Sequence, residues 1–386
     1  MTQNINQSIA LRWDIFCQVI DNLGDIGVSW RLARQLQNDC QQNVRLWVDD
    51  LSSFMKIAPQ LKRDMNRQYC QNVEICLWQS PFPLCEPADI VIEMFACELP
   101  ETYVAGMIQQ LRAPVWINLE YLSAEGWVRE YHGLHSPHPR LPLIKTFFFP
   151  GFVPGTGGLL REKDLIESKE AFDMKTERQF WNSIGVPPRK ERECRVSLFC
   201  YEHAPIAELI AIWFKSSRPV YLIVPEGVVA DSVTALSVAS SVRSNRIIQS
   251  GQLSVQVIPF LEQNRYDQLL RACDLNFVRG EDSFVRAQWA GKPFVWNIYP
   301  QSGNAHWKKL NAFLEIYTEH MPDKTASALQ KFWHGWNVMD EIDVSAWEAF
   351  LDCFELLIRL NRTWRQQLEL QNDLTANLIQ FVRNQL

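Results

Sequence analysis

The chain has 386 residues, of which 47% are hydrophobic and 21% are charged, and its formal net charge is −6. This composition is typical of a folded globular protein and excludes a largely disordered chain. The acidic balance disfavours the binding of nucleic acid by phosphate neutralisation, although it leaves room for a local basic pocket. At about 150 residues per domain, the length predicts two domains.

The N-terminal residues and the cysteines predict a cytoplasmic protein. The start of the chain lacks the basic and apolar segments of a signal peptide, and no apolar run approaches the ~18 residues that a membrane helix needs. The ten cysteines include no CxxC pair, and several lie in apolar runs. This usage favours buried, reduced thiols rather than disulfide bonds. Together, these features lead us to expect a cytoplasmic protein without a membrane segment.

The first half of the chain alternates predicted strands with helical or loop segments. The predicted elements are strands at 13–20, 44–48, 73–77, 90–93 and 115–119, a turn at 21–27 and a helix at 28–37. Such an alternation is typical of βαβ units, in which parallel strands form a sheet that helices cover.

A second alternating series follows a Gly- and Pro-rich segment, 147–158, and a charged run, 161–178, where we place a domain boundary. Its predicted elements are strands at 195–199, 220–224, 255–258, 275–278 and 294–297, helices at 267–273 and 284–290, and two helices within 346–385. The predicted domains are 1–165 and 180–360, with a C-terminal helix at about 362–386 that joins the first domain. Ligands of such doubly wound α/β domains bind beyond the carboxyl ends of the strands.

The segment Asp21–Gly27 lies where a predicted strand turns into a predicted helix. Its glycines allow a ligand to approach the backbone, and a helix N-terminus favours an anion. Two carboxylates at this place would repel phosphate and suit a cationic or hydroxyl nucleophile. The structural alternative is that Asp25 caps the helix and Asp21 begins an Asx turn. The GxGxxG fingerprint is absent, which disfavours a dinucleotide-dependent oxidoreductase.

The segment Arg279–Ser283 also connects a predicted buried strand to a helix. Helix N–H groups, a hydroxyl and the Arg279 guanidinium would converge there on a diphosphate. Alternatively, Ser283 or Asp282 caps the helix and Arg279 pairs with Glu281.

Two further groups of residues are less specific. Phe199 ends a predicted strand and Tyr201 follows it, and an aromatic ring at such a place either packs in the core or stacks on a base. His132, His135 and His138 recur every third residue, but the prolines among them oppose a helix that would bring the rings together. We therefore predict a surface loop there rather than a metal site.

Five segments span both halves of the chain: residues 16–34, 92–100, 116–125, 147–162 and 279–283. They resemble the EarP family of bacterial protein-arginine rhamnosyltransferases, which modify elongation factor P. The resemblance implies the glycosyltransferase-B architecture, with two facing Rossmann-like domains and an interdomain cleft. It implies inverting transfer of rhamnose from dTDP-β-L-rhamnose to an arginine nitrogen of elongation factor P, without a cofactor or a metal ion.

The resemblance also implies roles for individual residues. Asp21 matches the general base, Asp25 a second functional carboxylate of the same loop, and Glu281 a glutamate that activity requires. Tyr266 stands where a second ring against thymine is expected. The loop chemistry and the resemblance together predict donor-binding residues at Asn22, Gly24, Phe199, Tyr201, Phe260, Gln263, Tyr266, Arg279, Asp282, Ser283 and Tyr299.

Two alternatives stay open besides the rhamnosyltransferase. One is a glycosyltransferase of the same fold with another acceptor, and the other is a non-catalytic protein that binds elongation factor P. The presence of both Asp21 and Asp25 argues against the second, because a binding protein needs no base. We expect a monomer that recognises elongation factor P as a folded domain, since one arginine offers too little surface for selectivity.

Overall fold

A computed structural model describes residues 10–21, 23–165, 172–216, 218–238, 242–244, 247–338 and 342–386. The chain divides into two compact units. Unit 1 comprises Met1–Ile166 and Asn372–Leu386, and unit 2 comprises Glu167–Gln371. The C-terminal segment therefore belongs to unit 1 only from Asn372 onward, and the estimate of about 362 for this return falls inside a helix of unit 2.

Unit 1 is an α/β unit, and its described residues form a mixed sheet with flanking helices. Its strands are β1 (Arg12–Cys17), β2 (Asn43–Val48), β3 (Arg67–Cys70), β4 (Val73–Leu77), β5 (Ile90–Met94), β6 (Val115–Leu119), β7 (His135–Pro137) and β8 (Ile144–Phe148). Its helices are α1 (Gly24–Arg34), which continues as a π-helical turn over Gln35–Asp39, α2 (Leu51–Ile57), α3 (Glu101–Ile108), α4 (Val128–Tyr131) and the last helix of the chain, α14 (Leu374–Gln385).

The order of the described strands in unit 1 is β3-β4-β2-β1-β5-β6-β8-β7. β1 pairs in parallel with β2 on one side and with β5 on the other. The strand order therefore reverses between β1 and β5, and the loops that follow these two strands diverge there. In open α/β sheets such a reversal opens a crevice beyond the carboxyl ends of the strands, where ligands bind.

The edges of this sheet differ from the parallel sheet that the sequence predicts. β3 pairs antiparallel with β4, and β7 pairs antiparallel with β8. β7 is exposed along its whole length and β3 is exposed at alternate residues. Short edge strands of this kind lack the apolar runs by which the central strands are recognised, so the sequence analysis missed them.

Aromatic packing closes the core of unit 1. The buried Phe16 ring lies 4.7 Å from the Tyr103 ring and 5.9 Å from the Trp47 ring, between centroids. Helix α14 is held to the same unit, because its Phe381 ring lies 5.9 Å from Phe148 and the Asn377 side chain donates a hydrogen bond to the Gly157 carbonyl.

Unit 2 repeats the α/β arrangement. Its described strands are β9 (Cys194–Leu198), β10 (Val220–Pro225), β11 (Val242–Ser244), β12 (Ile247–Ser250), β13 (Leu253–Ile258), β14 (Leu275–Arg279) and β15 (Phe294–Asn297). Its described helices are α5 (Met174–Ser183), α6 (Ile206–Phe214), α7 (Val228–Val238), α8 (Gln263–Ala272), α9 (Asp282–Ala290), α10 (Ala305–Thr318), α11 (Asp323–Asn337), α12 (Val344–Asp352) and α13 (Phe354–Glu369).

The order of the described strands in unit 2 is β11-β12-β13-β10-β9-β14-β15. β9 pairs in parallel with β10 and with β14, so this sheet reverses its order between β9 and β14. The antiparallel strands β11 and β12 form its edge beside β13. Each unit therefore presents one reversal point, and each reversal is flanked by loops that the sequence analysis selected.

The central strands confirm the predicted alternation, whereas the C-terminal tail does not match the prediction. The tail from residue 344 contains three helices, α12, α13 and α14, rather than two. The helical conformation is interrupted at Cys353 and again between Leu370 and Asp373. All ten cysteines are free, and seven of them are buried. None of the described helices combines the length and apolar character needed to cross a bilayer.

Candidate active site

The loop between β1 and α1 is organised by the carboxylate of Asp25. One of its oxygens, Oδ2, accepts hydrogen bonds from the backbone N–H groups of Ile20 and Asp21, at 2.8 Å in each case. The other oxygen, Oδ1, accepts from the Tyr121 hydroxyl at 3.1 Å. Asp25 is only 2% exposed, so these donors replace water around a buried carboxylate. Its role here is to fix the loop that carries Asp21.

The structural alternative for Asp25 is wrong. The N-cap of α1 is Leu23, whose side chain makes no capping hydrogen bond, and Asp25 lies inside the first turn. Its carboxylate reaches back to the loop before the helix rather than to the helix's own first N–H groups.

Asp21 is half-buried and lies beside Gly24. The Gly24 N–H donates to the Asp21 carbonyl oxygen at 2.6 Å, which closes the turn. A Cβ atom on Gly24 would lie 2.8 Å from Oδ2 of Asp21, closer than real Cβ contacts. The absence of a side chain at Gly24 thus makes room for the Asp21 carboxylate. The neighbouring Asn22, which the sequence predicts to bind the donor, lies outside the described residues.

The loops that follow β5 and β6 face the same reversal point. Phe95 and Tyr121 stack with ring centroids 4.2 Å apart and planes 12° from parallel. Phe95 and Ala96 both have positive φ angles, 56° and 57°. Residues with side chains seldom adopt this left-handed region, and each instance costs about 1–3 kcal/mol. Strained residues of this kind are concentrated at functional sites, so two in succession indicate that the backbone conformation of this loop serves function rather than stability.

In unit 2, one guanidinium joins the loops after β9 and β14. The Cζ atom of Arg279 lies 4.6 Å from the ring centroid of Phe199 and 4.6 Å from that of Tyr201. Tyr201 in turn contacts Tyr299 edge-to-face at 5.3 Å and stacks on His203 at 5.5 Å. The structure therefore brings four predicted residues from three strand ends into one group: Phe199, Tyr201, Arg279 and Tyr299.

The turn before α9 is held by Ser283 and not by a helix cap. The Ser283 hydroxyl accepts a hydrogen bond from the Arg279 N–H at 3.0 Å and donates one to the Arg279 carbonyl at 2.5 Å. Between them, Gly280 has a φ of 60°, and its carbonyl accepts from the Trp296 indole at 2.8 Å. The N-cap position belongs to Glu281, whose side chain makes no capping bond, so the proposed caps at Ser283 and Asp282 are wrong.

The remaining predicted residues lie along the same edge of the sheet. Tyr266, almost fully buried on α8, contacts Phe199 edge-to-face at 5.8 Å, and burial raises the pKa of its hydroxyl. Gln263, at the start of α8, donates to Oδ2 of Asp282 at 3.4 Å. Phe260 follows the carboxyl end of β13 and is half-buried.

The electrostatics of this group are mixed. Arg279 and the N-terminus of α9 supply positive charge, while Glu281 and Asp282 supply negative charge at the same turn. Burial lowers the pKa of His203, and the nearby charges of His306 and Arg279 lower it further. His203 is therefore a neutral partner of Tyr201 near neutral pH.

No group of three or more potential metal ligands occurs in the parts of the chain that the structure describes. The three regularly spaced histidines bind different partners. His132 Nδ1 accepts from the Phe149 N–H, His135 Nδ1 contacts the Thr146 hydroxyl, and His138 Nδ1 accepts from the N–H groups of Arg140 and Leu141.

Comparison with known proteins decides the family. The model of the family described as "Elongation-Factor P (EF-P) rhamnosyltransferase EarP" matches residues 13–383. The chain belongs to the EarP family. This match confirms the resemblance that the sequence motifs indicated, and it makes the protein an enzyme of the glycosyltransferase class.

Curated EarP-family relatives are similar over almost their whole length. The protein-arginine rhamnosyltransferase of Pseudomonas putida is 43% identical over 376 residues, which cover 97% of this chain and 99% of that protein. The corresponding protein of Pseudomonas aeruginosa is 44% identical over 372 residues, covering 96% and 98%.

Solved structures confirm the predicted fold class. A structure described as the structural basis for EarP-mediated arginine glycosylation of translation elongation factor EF-P is 32% identical, with a TM-score of 0.69 and coverage of 97% of this chain and 100% of that one. A glycosyltransferase from Rickettsia africae, 8% identical, has a TM-score of 0.53 and coverage of 97% and 98%, which supports the fold alone. The EarP-family chain is thus an α/β glycosyltransferase of the B class.

Two polar groups that organise these loops are not among the predicted site residues. Tyr121 holds Asp25, and the buried Asn297 at the end of β15 accepts the Tyr201 N–H at 2.9 Å. Tyr121 lies in a segment that resembles the EarP family, which was a usable signal. The signal for Asn297 was weaker, since it was only a polar residue in an otherwise apolar strand.

Proposed function

We propose that this EarP-family enzyme transfers rhamnose from dTDP-β-L-rhamnose to an arginine side-chain nitrogen of elongation factor P, with inversion at the anomeric carbon. Its relatives are named protein-arginine rhamnosyltransferases, and the similar solved structure concerns arginine glycosylation of EF-P. The observation that carries the proposal is the Asp21 loop, in which the buried Asp25 carboxylate holds the backbone N–H of Asp21, and Asp21 carries a second carboxylate at the reversal point of unit 1.

The donor would bind to unit 2. Phe199 and the exposed Tyr299 offer aromatic surface for the thymine and deoxyribose, while the buried Tyr201 supports Tyr299 and Tyr266 supports Phe199 from the side. Arg279 and the N–H groups at the start of α9 would oppose the negative charge that grows on the diphosphate as it leaves. Because these groups supply that charge, we propose that the reaction needs neither a metal ion nor a cofactor.

The acceptor sets the chemical difficulty. The pKa of an arginine guanidinium lies far above neutral pH, so removing its proton at pH 7 in a separate step costs about 9 kcal/mol. A carboxylate base cannot carry that cost before bond formation. Asp21 therefore orients the attacking nitrogen and accepts its proton as the C–N bond forms and the bond to the dTDP oxygen breaks. Asp25 holds the loop in place during this step.

The proposed acceptor also sets the partner and the compartment. A translation factor is a cytoplasmic protein, and it would be recognised as a folded domain that binds unit 1 near Asp21. We propose that the enzyme acts as a monomer.

Glu281, half-buried at the N-cap of α9, would orient the rhamnose by binding the hydroxyl groups of the sugar.

The test is intact-mass spectrometry of elongation factor P after incubation with the enzyme and dTDP-rhamnose. Wild type should add the mass of one deoxyhexose, and the Asp21→Asn variant should add none while still binding dTDP-rhamnose by calorimetry. Asp64→Asn is the matched control, because Asp64 is an exposed carboxylate of the same unit. Donor binding without any transfer by wild type would indicate another acceptor, and loss of donor binding in Asp21→Asn would contradict the assignment of the base.

A further inference from the structure

The hydroxyl of Tyr121 connects an aromatic pair to the loop that carries Asp21. It donates to Oδ1 of Asp25 at 3.1 Å, while Oδ2 of the same carboxylate accepts the N–H groups of Ile20 and Asp21. Tyr121 lies 96 positions along the chain from Asp25. The orientation of the carboxylate is thus set from outside its own loop, by a residue beyond the carboxyl end of β6.

Tyr121 is itself oriented by the loop that follows β5. Its ring stacks on Phe95 at 4.2 Å. The Phe95 N–H donates to the Leu119 carbonyl at 2.7 Å, and the Ala96 N–H donates to the Asn118 side-chain oxygen at 3.0 Å. These bonds tie the strained residues to the end of β6, just before Tyr121. The stacked pair and the two strand ends therefore form one connected support.

The support is poorly explained by packing alone. Tyr121 is 37% exposed, so its ring contributes less to the core than a buried tyrosine does. Its hydroxyl donates to the carboxylate that holds the Asp21 loop, and not to a group of the sheet. Fixing a carboxylate by several donors limits its rotation, and catalytic groups need placement to within fractions of an ångström.

We propose that Tyr121 is a positioning residue for the transfer reaction. By holding Asp25, its hydroxyl keeps the backbone of Ile20 and Asp21 in the position from which the Asp21 carboxylate can receive the acceptor proton, and Phe95 orients Tyr121 for this contact. This inference rests on the proposed function, in which Asp21 is the base.

Tyr121→Phe removes the hydroxyl and keeps the stacked ring. We expect kcat to fall about tenfold, with KM for dTDP-rhamnose and KM for elongation factor P within twofold of wild type and with only a small loss of thermal stability, because the buried Asp25 carboxylate loses one hydrogen-bond donor. Phe95→Leu keeps the hydroxyl but removes the ring that orients it, so it should lower kcat severalfold. Tyr131→Phe is the matched control, since Tyr131 is a 52% exposed tyrosine of the same unit, and its kcat should not change.

Hydrogen–deuterium exchange provides a readout that does not depend on activity. In Tyr121→Phe the peptide that contains residues 18–25 should exchange severalfold faster than in wild type, because the Ile20 and Asp21 amides lose a fixed acceptor. Exchange elsewhere in unit 1 should stay the same.

The outcomes separate this inference from the proposed function. An unchanged kcat in Tyr121→Phe, or unchanged exchange of residues 18–25, would overturn the positioning role. A fall in kcat that comes with lower stability and higher KM values for both substrates would also overturn it, because it would indicate general loosening. If wild type transfers no rhamnose, the proposed function fails, and the exchange result alone decides whether Tyr121 holds the loop.

Discussion

Replacing Gly24 with alanine tests the geometry around the proposed base. Gly24 has no side chain, and a Cβ atom placed there would lie 2.8 Å from Oδ2 of Asp21. Ordinary Cβ contacts begin at 3.4 Å, so the carboxylate must retreat by roughly half an ångström. The contacted atom is the end of a side chain rather than the backbone, and it can therefore move without disturbing α1.

Gly24→Ala should lower activity and leave stability unchanged. A displacement of 1 Å at a reacting group can cost about 100-fold in rate, so a shift of roughly half that distance should lower kcat about tenfold. Gly24 begins α1 and does not have a positive φ angle. Alanine at such a position favours the helix over the unfolded chain by about 0.4–1 kcal/mol, which offsets the steric cost. The variant should therefore be as stable as wild type.

The assay is the initial rate of rhamnose transfer to elongation factor P, with dTDP-rhamnose binding and thermal unfolding measured on the same samples. Gly126→Ala is the matched control, because a Cβ atom at Gly126 would meet nothing within 4 Å. Full activity in Gly24→Ala would refute the argument that the bare glycine makes room for the Asp21 carboxylate. So would a loss of stability large enough to explain the lower rate.

Two further predictions concern unit 2 and pH. Arg279→Lys should weaken dTDP binding about tenfold, because lysine cannot stack on the rings of Phe199 and Tyr201 as a planar guanidinium does. Calorimetry measures this affinity. Arg265→Lys is the control and should bind dTDP normally, since the Arg265 guanidinium lies over a different ring, that of Phe180. Burial lowers the pKa of His132 from 6.5, so the unfolded chain takes up its proton first as the pH falls. The resulting stability is complete above pH 6.5 and declines below it, and urea unfolding from pH 7 to about 5 should show a shallower decline in His132→Asn than in wild type.

Much of the fold follows from local pattern. The strands β4, β6 and β15 match their predicted bounds, since each is a short apolar run between polar or turn-forming residues. The edge strands β3 and β7 and the break in the tail at Cys353 were missed. Edge strands face water and helix breaks depend on packing, so neither leaves a strong periodic signal in the chain.

The candidate site divides in a similar way. The Asp21 and Arg279 loops were recognisable from the sequence, because polar and glycine residues between a buried strand and a helix are unusual and because the motifs resemble the EarP family. Their internal geometry was not recognisable. The sequence suggested caps at Asp25 and Ser283, but the structure shows Asp25 bonded to the loop before α1 and Ser283 bonded to Arg279 at the end of β14.

The sequence by itself therefore determined the element types, the family and the loops that carry the chemistry, since these depend on residue type and near-neighbour spacing. Only the tertiary structure decided which distant residues meet: Tyr121 with Asp25, and Arg279 with Phe199 and Tyr201. Those contacts arise because parallel strands bring their carboxyl ends to one edge, in an order set by sheet topology. That order is fixed by the packing of the whole unit, and no local stretch of the chain encodes it.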